Sequence, residues 1–486
     1  MKYLLLLPLL LPLLGGALPF FFPRMGRKAF HGVIFGTVLL GSAAIAALLF
    51  LSPPSLTLFS LLPGAELLLS LDGLGKVFAG LIAALWPFAT LYAFSYLESD
   101  PHEHLFFFFY TLSYGVTAGI CFAGNLLTLY VFYELLTLTT IPLVLHGFTA
   151  EHRHAARKYA AYSIGGAALA LTGIVWLLGR GYTGAFTYGG IVSGSQSAGT
   201  QVVFLLLFFG FGVKAAVFPS SGWLPTASVA PTPVTALLHA VAVVKAGVFA
   251  IFRVCYFVFD PALLLGSIAQ KIALSFAAFT VVFGAAMALK ERHFKRRLAW
   301  STVSNLSYIL CGALLLTPAG FAAGLLHMLF HAMMKLSSFF CAGAFQHVTG
   351  EQYLYRLYGV GKRMPVVFGS FTVCSLSLMG VPLFSGFISK YKLILAAVTD
   401  GSVFGWIVTG ALLAAALLCA IYMLSVAIRA FFPLPEKDLF AARTDVRDPD
   451  WRMLLPIVLF AGLCLVFGMF PGAPIKFAEA VASGAL

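Results

Sequence analysis

Apolar stretches of about 20 residues follow one another through almost the whole chain, with only short polar loops between them, and this pattern constrains the fold more than any other feature. A helix needs about that many mostly apolar residues to cross the hydrocarbon layer of a bilayer. The stretches run over Tyr3–Phe22, Phe30–Leu51, Val77–Tyr96, Leu105–Ala123, Leu126–His146, Ala160–Leu178, Val202–Phe218, Val234–Phe257, Ile272–Ala288, Leu298–Leu316, Phe321–Phe345, Val366–Ala397, Phe404–Phe431 and Leu454–Phe470. The expectation is an all-α integral membrane protein of about fourteen transmembrane helices. Composition agrees: 61% of residues are hydrophobic and 10% charged, against about 25% charged in soluble domains. The stretch before Arg24, Arg27 and Lys28 resembles a signal peptide, but no small-residue cleavage site follows it, so a retained first helix is expected.

The net charge of +13 points to the membrane surface rather than to nucleic acid, because the basic residues sit in the short loops. They follow odd-numbered spans: Arg24, Arg27 and Lys28; Arg153, Arg157 and Lys158; Lys290, Arg292, Lys295, Arg296 and Arg297; Arg356, Lys362 and Arg363; Lys437, Arg443, Arg447 and Arg452. Loops after even spans carry few, such as Arg180. Odd loops are therefore expected to be cytoplasmic and both termini outside, in the cell inner (plasma) membrane. The seven cysteines stand singly in or beside apolar runs, without metal or redox spacing, and read as packing residues. No nucleotide loop, haem motif or iron–sulfur motif appears, so no cofactor, no metal and no redox or hydrolytic site are expected in this chain.

Two spans are interrupted. The seventh meets Pro219, Gly222 and Pro225, and the twelfth contains Gly380, Pro382 and Gly386. Proline removes a backbone donor and clashes with the preceding turn. Broken helices at corresponding places in two halves of a transporter point to a repeat built around an ion path. The breaks lie five spans apart, which divides the chain into 1–104 (spans one to three), 105–260 (spans four to eight), 261–435 (spans nine to thirteen) and 436–486 (a loop and the last span).

The spans also carry ionisable residues, which cost roughly 2.5–3.5 kcal/mol each at a helix centre on insertion scales. Glu134 is in span five, Lys214 in span seven, His239 and Lys245 in span eight, His327, His331 and Lys335 in span eleven, and Lys390 just after the break in span twelve. His327, His331 and Lys335 recur every fourth residue and so share one helix face. His239 and Lys245 are six apart, on opposite sides of an ideal helix, and should face different neighbours. Lys390 also fits a side chain reaching for the interface, and that is the preferred reading for Lys76, Lys271 and Arg253 near span ends. His102, His104, His152 and His154 read as solvated loop residues. Glu134 and Lys214 are mid-span, so pairing or neutralisation is nearly forced. An ammonium holds its proton more firmly beside a carboxylate than alone in apolar surroundings, so a pair that opens and closes is a proton switch.

Trp223-Leu-Pro-Thr-Ala-Ser-Val-Ala-Pro-Thr-Pro-Val-Thr-Ala-Leu-Leu-His239 followed by Val244-Lys245-Ala-Gly-Val-Phe249 resembles the core signature of the antiporter-like subunits of respiratory complex I and of Mrp-type multisubunit sodium/proton antiporters. Lys295-Arg-Arg-Leu-Ala-Trp-Ser-Thr-Val-Ser304, His327 through Lys335 and Gly380-Val-Pro-Leu-Phe-Ser-Gly-Phe-Ile-Ser-Lys390 extend the resemblance over nearly the whole chain. The run from His331 to Gly343 looks closest to Mrp-type D subunits. The resemblance implies two inverted five-helix repeats. It implies that Glu134 and Lys214 are the paired carboxylate and lysine, Lys245 the central lysine, His331 and Lys335 a relay, and Lys390 the terminal lysine. The chain ends soon after the last span, so the long lateral helix of the largest complex I subunit is not expected. Ser221 and Ser228 stand where many relatives have histidines, and His293 and Asn305 where Asp and Gln are usual.

The function expected is a proton-translocating antiporter-like subunit, working with other membrane subunits of a multisubunit cation/proton antiporter, with sodium as a candidate counter-ion. The alternative in the same superfamily is a proton-pumping membrane subunit of a complex-I-like NADH-quinone oxidoreductase or membrane-bound hydrogenase. A stand-alone solute transporter predicts a polar pocket at the breaks, whereas the polar residues here form a chain, and a scaffold without transport predicts dispensable charges.

Overall fold

The computed structural model describes residues 2–485 apart from 23, 52, 63–64, 195, 434–437, 441–442 and 444. Lys437, counted above among the loop charges, and Met1 and Pro23 at the chain's start lie outside the described residues. A 3-10 turn leads into α1 (Leu7–Phe21) and α2 (Arg27–Leu51), then a hairpin of β1 (Leu56–Leu62) and β2 (Ala65–Leu69). There follow α3 (Gly73–Tyr96), α4 (Glu103–Cys121), α5 (Leu126–Leu145), α6 (Ala150–Gly179), α7 (Ala198–Gly212), α8 (Trp223–Ala227), α9 (Thr232–Ala240), α10 (Val243–Arg253) and α11 (Pro261–Leu264). The second half holds α12 (Ile268–Lys290), α13 (Phe294–Leu314), α14 (Pro318–Thr349), α15 (Val360–Arg363), α16 (Pro365–Met379), α17 (Ser385–Thr399), α18 (Val403–Phe431), α19 (Trp451–Met469) and α20 (Gly472–Ala482). Among the described residues eleven helical stretches are long and apolar enough to cross a membrane, and the chain is a multi-pass, mostly helical membrane protein.

Local chemistry sets the helix starts. The side chains of Asn125, Thr149, Ser197, Ser267, Thr317, Ser402 and Asp450 each accept a hydrogen bond from a backbone N–H in the first turn of α5, α6, α7, α12, α14, α18 and α19. Such caps satisfy donors that a helix end leaves free. Packing then sorts the helices by depth. The span comprising α9 and α10 is wholly buried inside the protein and α14 94% so, while the first helical stretch is only 28% buried. His239, Lys245, His327, His331 and Lys335 thus fall on the most deeply buried helices, and the outer helices are left to face lipid or neighbouring subunits.

Both expected breaks are present. The seventh span unwinds after Gly212 and resumes in α8, and the twelfth is split into α16 and α17 by Gly380, which takes a left-handed φ of 89° as the cap of α16. The two halves of that span approach so closely that a Cβ on Gly386 would lie 1.8 Å from the Ser377 carbonyl oxygen.

Three features differ from the sequence reading. The segment between the second and third spans forms the β1–β2 hairpin. Its Leu56-Thr-Leu-Phe-Ser run places apolar and polar residues near strand spacing, a short-range pattern that a search for 20-residue spans passes over. The eighth span is broken too, between α9 and α10, where both Val241 and Ala242 donate to the Leu237 carbonyl (3.0 and 2.8 Å). No proline or glycine marks that place, and the opposite-sides argument for His239 and Lys245 assumed a continuous helix. Arg253, read as reaching for the interface, is instead 1% exposed. Its guanidinium makes a two-pronged ion pair with Asp72, whose other role is to cap α3, and lies 4.7, 4.9 and 4.6 Å from the rings of Phe186, Phe249 and Phe257. A carboxylate 181 residues away in sequence cannot be seen from the local pattern that suggested exposure.

The Arg253–Asp72 pair ties the end of α10 to the start of α3. Asp72→Asn leaves a buried guanidinium without its counter-charge and is expected to destabilise the folded protein by about 3 kcal/mol. The double variant Asp72→Asn/Arg253→Met, which removes both charges, is expected to recover most of that loss. Thermal unfolding in detergent checks both, and equal melting temperatures for Asp72→Asn and wild type would show that the pair contributes nothing.

Candidate functional site

The first group forms where α5 meets the unwound end of α7. Asn125 caps α5, and Glu134 follows nine residues later, about 14 Å along the helix axis and thus near its middle. Lys214 sits in the turn just beyond Gly212, fully buried, with its Nζ 3.6 Å from Glu134 Oε1. The ammonium is held by more than the carboxylate: it donates to the Tyr133 carbonyl and lies 3.4 Å from the centre of the Tyr133 ring. Tyr133 in turn donates its hydroxyl hydrogen to the Phe211 carbonyl (2.9 Å), which fixes the ring against the turn. From behind, Gly247 of α10 packs so tightly that a Cβ there would stand 2.4 Å from the Ala215 nitrogen. At 3.6 Å the Glu134–Lys214 contact is an ion pair outside hydrogen-bond length, and Glu134 Oε1 has no hydrogen-bond partner in the protein. Lys214 is therefore anchored without Glu134, whereas Glu134 Oε1 is held by the ion pair alone.

The second group gathers on α14. Lys245 Nζ is 3.0 Å from His331 Nδ1. This contact needs a lone pair on one nitrogen and a hydrogen on the other, so it excludes a charged Lys245 facing a protonated His331 Nδ1. Four residues earlier, the His327 ring stands 6.0 Å from that of His331. His327 Nδ1 meets Ser389 Oγ at 2.9 Å and its Nε2 meets Asn305 Oδ1 at 3.3 Å. Tyr308 of α13 joins this group to Lys390: its ring lies 5.6 Å from His327 and 5.0 Å from Lys390 Nζ. Lys390 is 5% exposed and donates to the Leu378 carbonyl at 2.5 Å, in the last turn of α16 beside the break. Its ammonium therefore points inward, and the reading of Lys390 as a side chain reaching for the interface is set aside.

The remaining residues flank these groups. Lys335 donates to Ser301 Oγ (2.7 Å) and to the Leu298 carbonyl (3.2 Å), and Tyr422 donates to the same Ser301 hydroxyl (2.8 Å). Lys335 thus shares the α14 face with His327 and His331 but takes its partners from α13. His239 stacks on Phe339 at 4.8 Å, and its Nε2 lies 3.2 Å from Ser228 Oγ. Ser228, placed in the sequence as a non-titrating replacement, is therefore in direct contact with a titratable ring. The other nitrogens of both central histidines, His239 Nδ1 and His331 Nε2, are buried and have no protein partner.

Sequence reasoning passed over the uncharged members of these groups. Tyr308, Tyr422, Ser301 and Ser389 carry no signal as isolated residues in apolar spans, although the four-residue spacing of Ser301 and Asn305 sets them on one face of α13. It also counted Lys295 as a loop charge, whereas Lys295 is 4% exposed. The loop histidines do not converge: His104 packs tilted against Phe30 (4.1 Å), His102 meets Phe148 edge-on (5.0 Å), and His152 Nδ1 meets Thr149 Oγ1 (2.7 Å). Among the described residues no group of three or more His, Cys, Asp or Glu side chains is placed to hold a metal ion.

This geometry can be set beside known proteins. The sequence profile of the family described as NADH:quinone oxidoreductase/Mrp antiporter, TM matches residues 123–417, the region that holds all eight residues above. Over 428 residues the chain is 33% identical to the N subunit of the NADH-quinone oxidoreductase of Desulforudis audaxviator, covering 84% of this chain and 82% of that one. It is 26% identical to the D subunit of the Na(+)/H(+) antiporter of Alkalihalophilus pseudofirmus, covering 98% of this chain and 95% of that one. It spans 57% of the longer L subunit of the NADH-quinone oxidoreductase of Mycobacterium tuberculosis, to which it is 33% identical over 75% of its own length. In fold it is similar to a chain of the Mrp complex from Dietzia sp. DQ12-45-1b, with a TM-score of 0.85, 21% identity and 99% and 97% of the two chains covered. The chain belongs to the NADH:quinone oxidoreductase/Mrp antiporter transmembrane family.

Proposed function

We propose that the protein is a proton-translocating subunit of a multisubunit cation/proton antiporter, and that protons move along its buried side chains. One observation carries this reading. Lys245, wholly enclosed, contacts His331 rather than a carboxylate. A structural lysine at that depth would need a counter-charge, whereas a lysine facing an imidazole nitrogen can share a proton with it. The Glu134–Lys214 pair acts as the switch, with Glu134 as its mobile member; Lys245, His331, His327 and Lys390 carry the proton on; Lys335 and His239 complete the relay. Similarity to the D subunit of an antiporter over nearly all of both chains supports an antiporter assembly as the setting. The same relay would serve a proton-pumping subunit of a quinone-reducing complex, a reading favoured by the 33% identity to the N subunit of such an oxidoreductase.

We propose further that the basic loops face the cytoplasm, that both termini lie outside in the plasma membrane, and that residues 105–260 and 261–435 are inverted five-helix repeats. The placement of both helix breaks five spans apart supports the repeat.

Identification of every protein that co-elutes in mild detergent separates the two settings: small membrane subunits alone support the antiporter, and iron–sulfur redox subunits overturn it. Within either assembly, Glu134→Gln is expected to slow proton transport at least about 100-fold, the scale of a lost proton-transfer group, with expression and assembly unchanged. Glu134→Asp should retain part of the activity. Wild-type rates in Glu134→Gln vesicles would end the switch assignment. Lys245→Arg is expected to fail as well, since a guanidinium keeps its proton and cannot exchange it with His331. Dye-monitored proton uptake at the normal rate in Lys245→Arg vesicles would contradict the relay.

A further inference from the structure

We infer that Lys295 is the relay residue through which protons pass between a histidine-lined vestibule on the protein surface and buried His239, an assignment that rests on the function proposed above. In sequence Lys295 is one of five basic residues between Lys290 and Arg297, all suited to a cytoplasmic loop. The structure separates it from its neighbours. Arg296 reaches outward to Glu151 at 2.5 Å, while Lys295 turns inward and donates to the Ala230 carbonyl at 3.1 Å. Ala230 lies in the irregular turn between α8 and α9, two residues beyond Ser228. The Ser228 hydroxyl is the partner of His239 Nε2. Lys295 and His239 are thus fastened to the same short turn, two residues apart.

Outside Lys295 lies a cavity of about 600 Å³. Lys295 forms part of its wall together with Arg296, His293, His146, His152 and His347, which arrive from the start of α13, the end of α5, the start of α6 and the end of α14. Imidazoles take up and release protons near neutral pH, so a pocket lined by four of them suits proton exchange with the aqueous phase. Three of the four have fixed partners: His146 Nε2 meets Asp100 at 2.9 Å, His293 Nε2 meets Gln352 at 3.0 Å and His152 Nδ1 meets Thr149 Oγ1 at 2.7 Å. The charged and titratable groups around Lys295 are Arg296 and His293 on its own segment, Glu151 and His152 on α6, and His239 on α9. The two acids that line the cavity, Glu151 and Asp100, are already held by Arg296 and His146. Lys295 is therefore left with a neutral carbonyl as its partner, and nothing pins its ammonium in the charged form as a carboxylate would.

The step balances without another reagent. One N–H bond of the Lys295 ammonium breaks, its proton passes through the Ser228 hydroxyl to His239 Nε2, and the neutral amine takes a proton from the vestibule. His239 carries its own hydrogen on Nδ1 before the transfer. Movement in the other direction reverses each exchange.

A purely structural role for Lys295 is the competing account: the side chain would simply tie α13 to the α8–α9 turn. Proton uptake by the assembled complex in everted vesicles, followed by a pH-sensitive dye from about pH 6 to pH 9, separates the two. Lys295→Arg keeps the charge and a donor for the Ala230 carbonyl but cannot give up a proton. It is expected to slow uptake at least about tenfold, and Lys295→Met to do the same. Lys295→His is expected to retain activity with its pH profile moved to the acid side. A Lys295→Arg complex working within about twofold of wild type, or a Lys295→His complex with the wild-type pH profile, would overturn the assignment. A wild-type complex that moves no protons would instead sink the function proposed above, which the wild-type control reads directly.

Discussion

Holding an ammonium inside a low-dielectric bundle is the constraint to which the rest of this structure answers. Transfer of such a charge out of water costs several kcal/mol even after the protein relaxes, and the central helices hold more lysines than carboxylates. The protein meets the cost largely with neutral acceptors, to which Lys214 adds a carboxylate, Glu134 at 3.6 Å. Lys390 uses the Leu378 carbonyl, Lys214 the Tyr133 carbonyl and ring, Lys335 a serine hydroxyl and the Leu298 carbonyl, Lys295 the Ala230 carbonyl, and Lys245 an imidazole nitrogen. Neutral acceptors stabilise the charged form less than a carboxylate would. That is the condition under which a lysine can change protonation state during a cycle instead of remaining a fixed counter-ion.

The broken helices belong to the same solution. A break frees carbonyls that a continuous helix engages with its own N–H groups. Leu378 lies in the last turn before the α16–α17 break, Ala230 lies between α8 and α9, and Lys214 occupies the turn where α7 stops. Irregular backbone at membrane depth survives only where it faces protein or a wet cavity, and the deep burial of α9, α10 and α14 provides that shelter. Close approach across the breaks depends on glycine. Gly247 lets α10 press against the Lys214 turn, and Gly386 lets α17 start against the end of α16.

The Arg253–Asp72 pair shows the opposite use of buried charge. Here a guanidinium has a full carboxylate partner and three aromatic rings around it. Its function is to fasten α10 to α3, and the charge stays where it is. The contrast with Lys245, which has no acid beside it, separates a fixed ionic fastening from a relay position within one helix.

Much of the architecture was legible in the sequence. Lipid permits few solutions, so apolar run length yields helices, and the Gly/Pro clusters at Pro219–Pro225 and Gly380–Gly386 give two of the breaks. Glu134 and Lys214 were legible as a pair because a mid-span charge without a partner is too costly to keep. The third break was not legible, since Val241 and Ala242 are ordinary helix residues and only the packing around them ends α9 there. The burial of Arg253 and Lys295 was hidden for a related reason. Both look like residues at the ends of spans, and their partners, Asp72 and the Ala230 carbonyl, are 181 and 65 residues away in the chain. Sequence alone thus determined that this chain crosses a membrane and buries titratable groups there, because hydrophobic length and the cost of charge act locally. Which groups touch, which of them keep a carboxylate, and which lysine faces the vestibule were decided only by tertiary structure, because each partner is brought in from a distant helix.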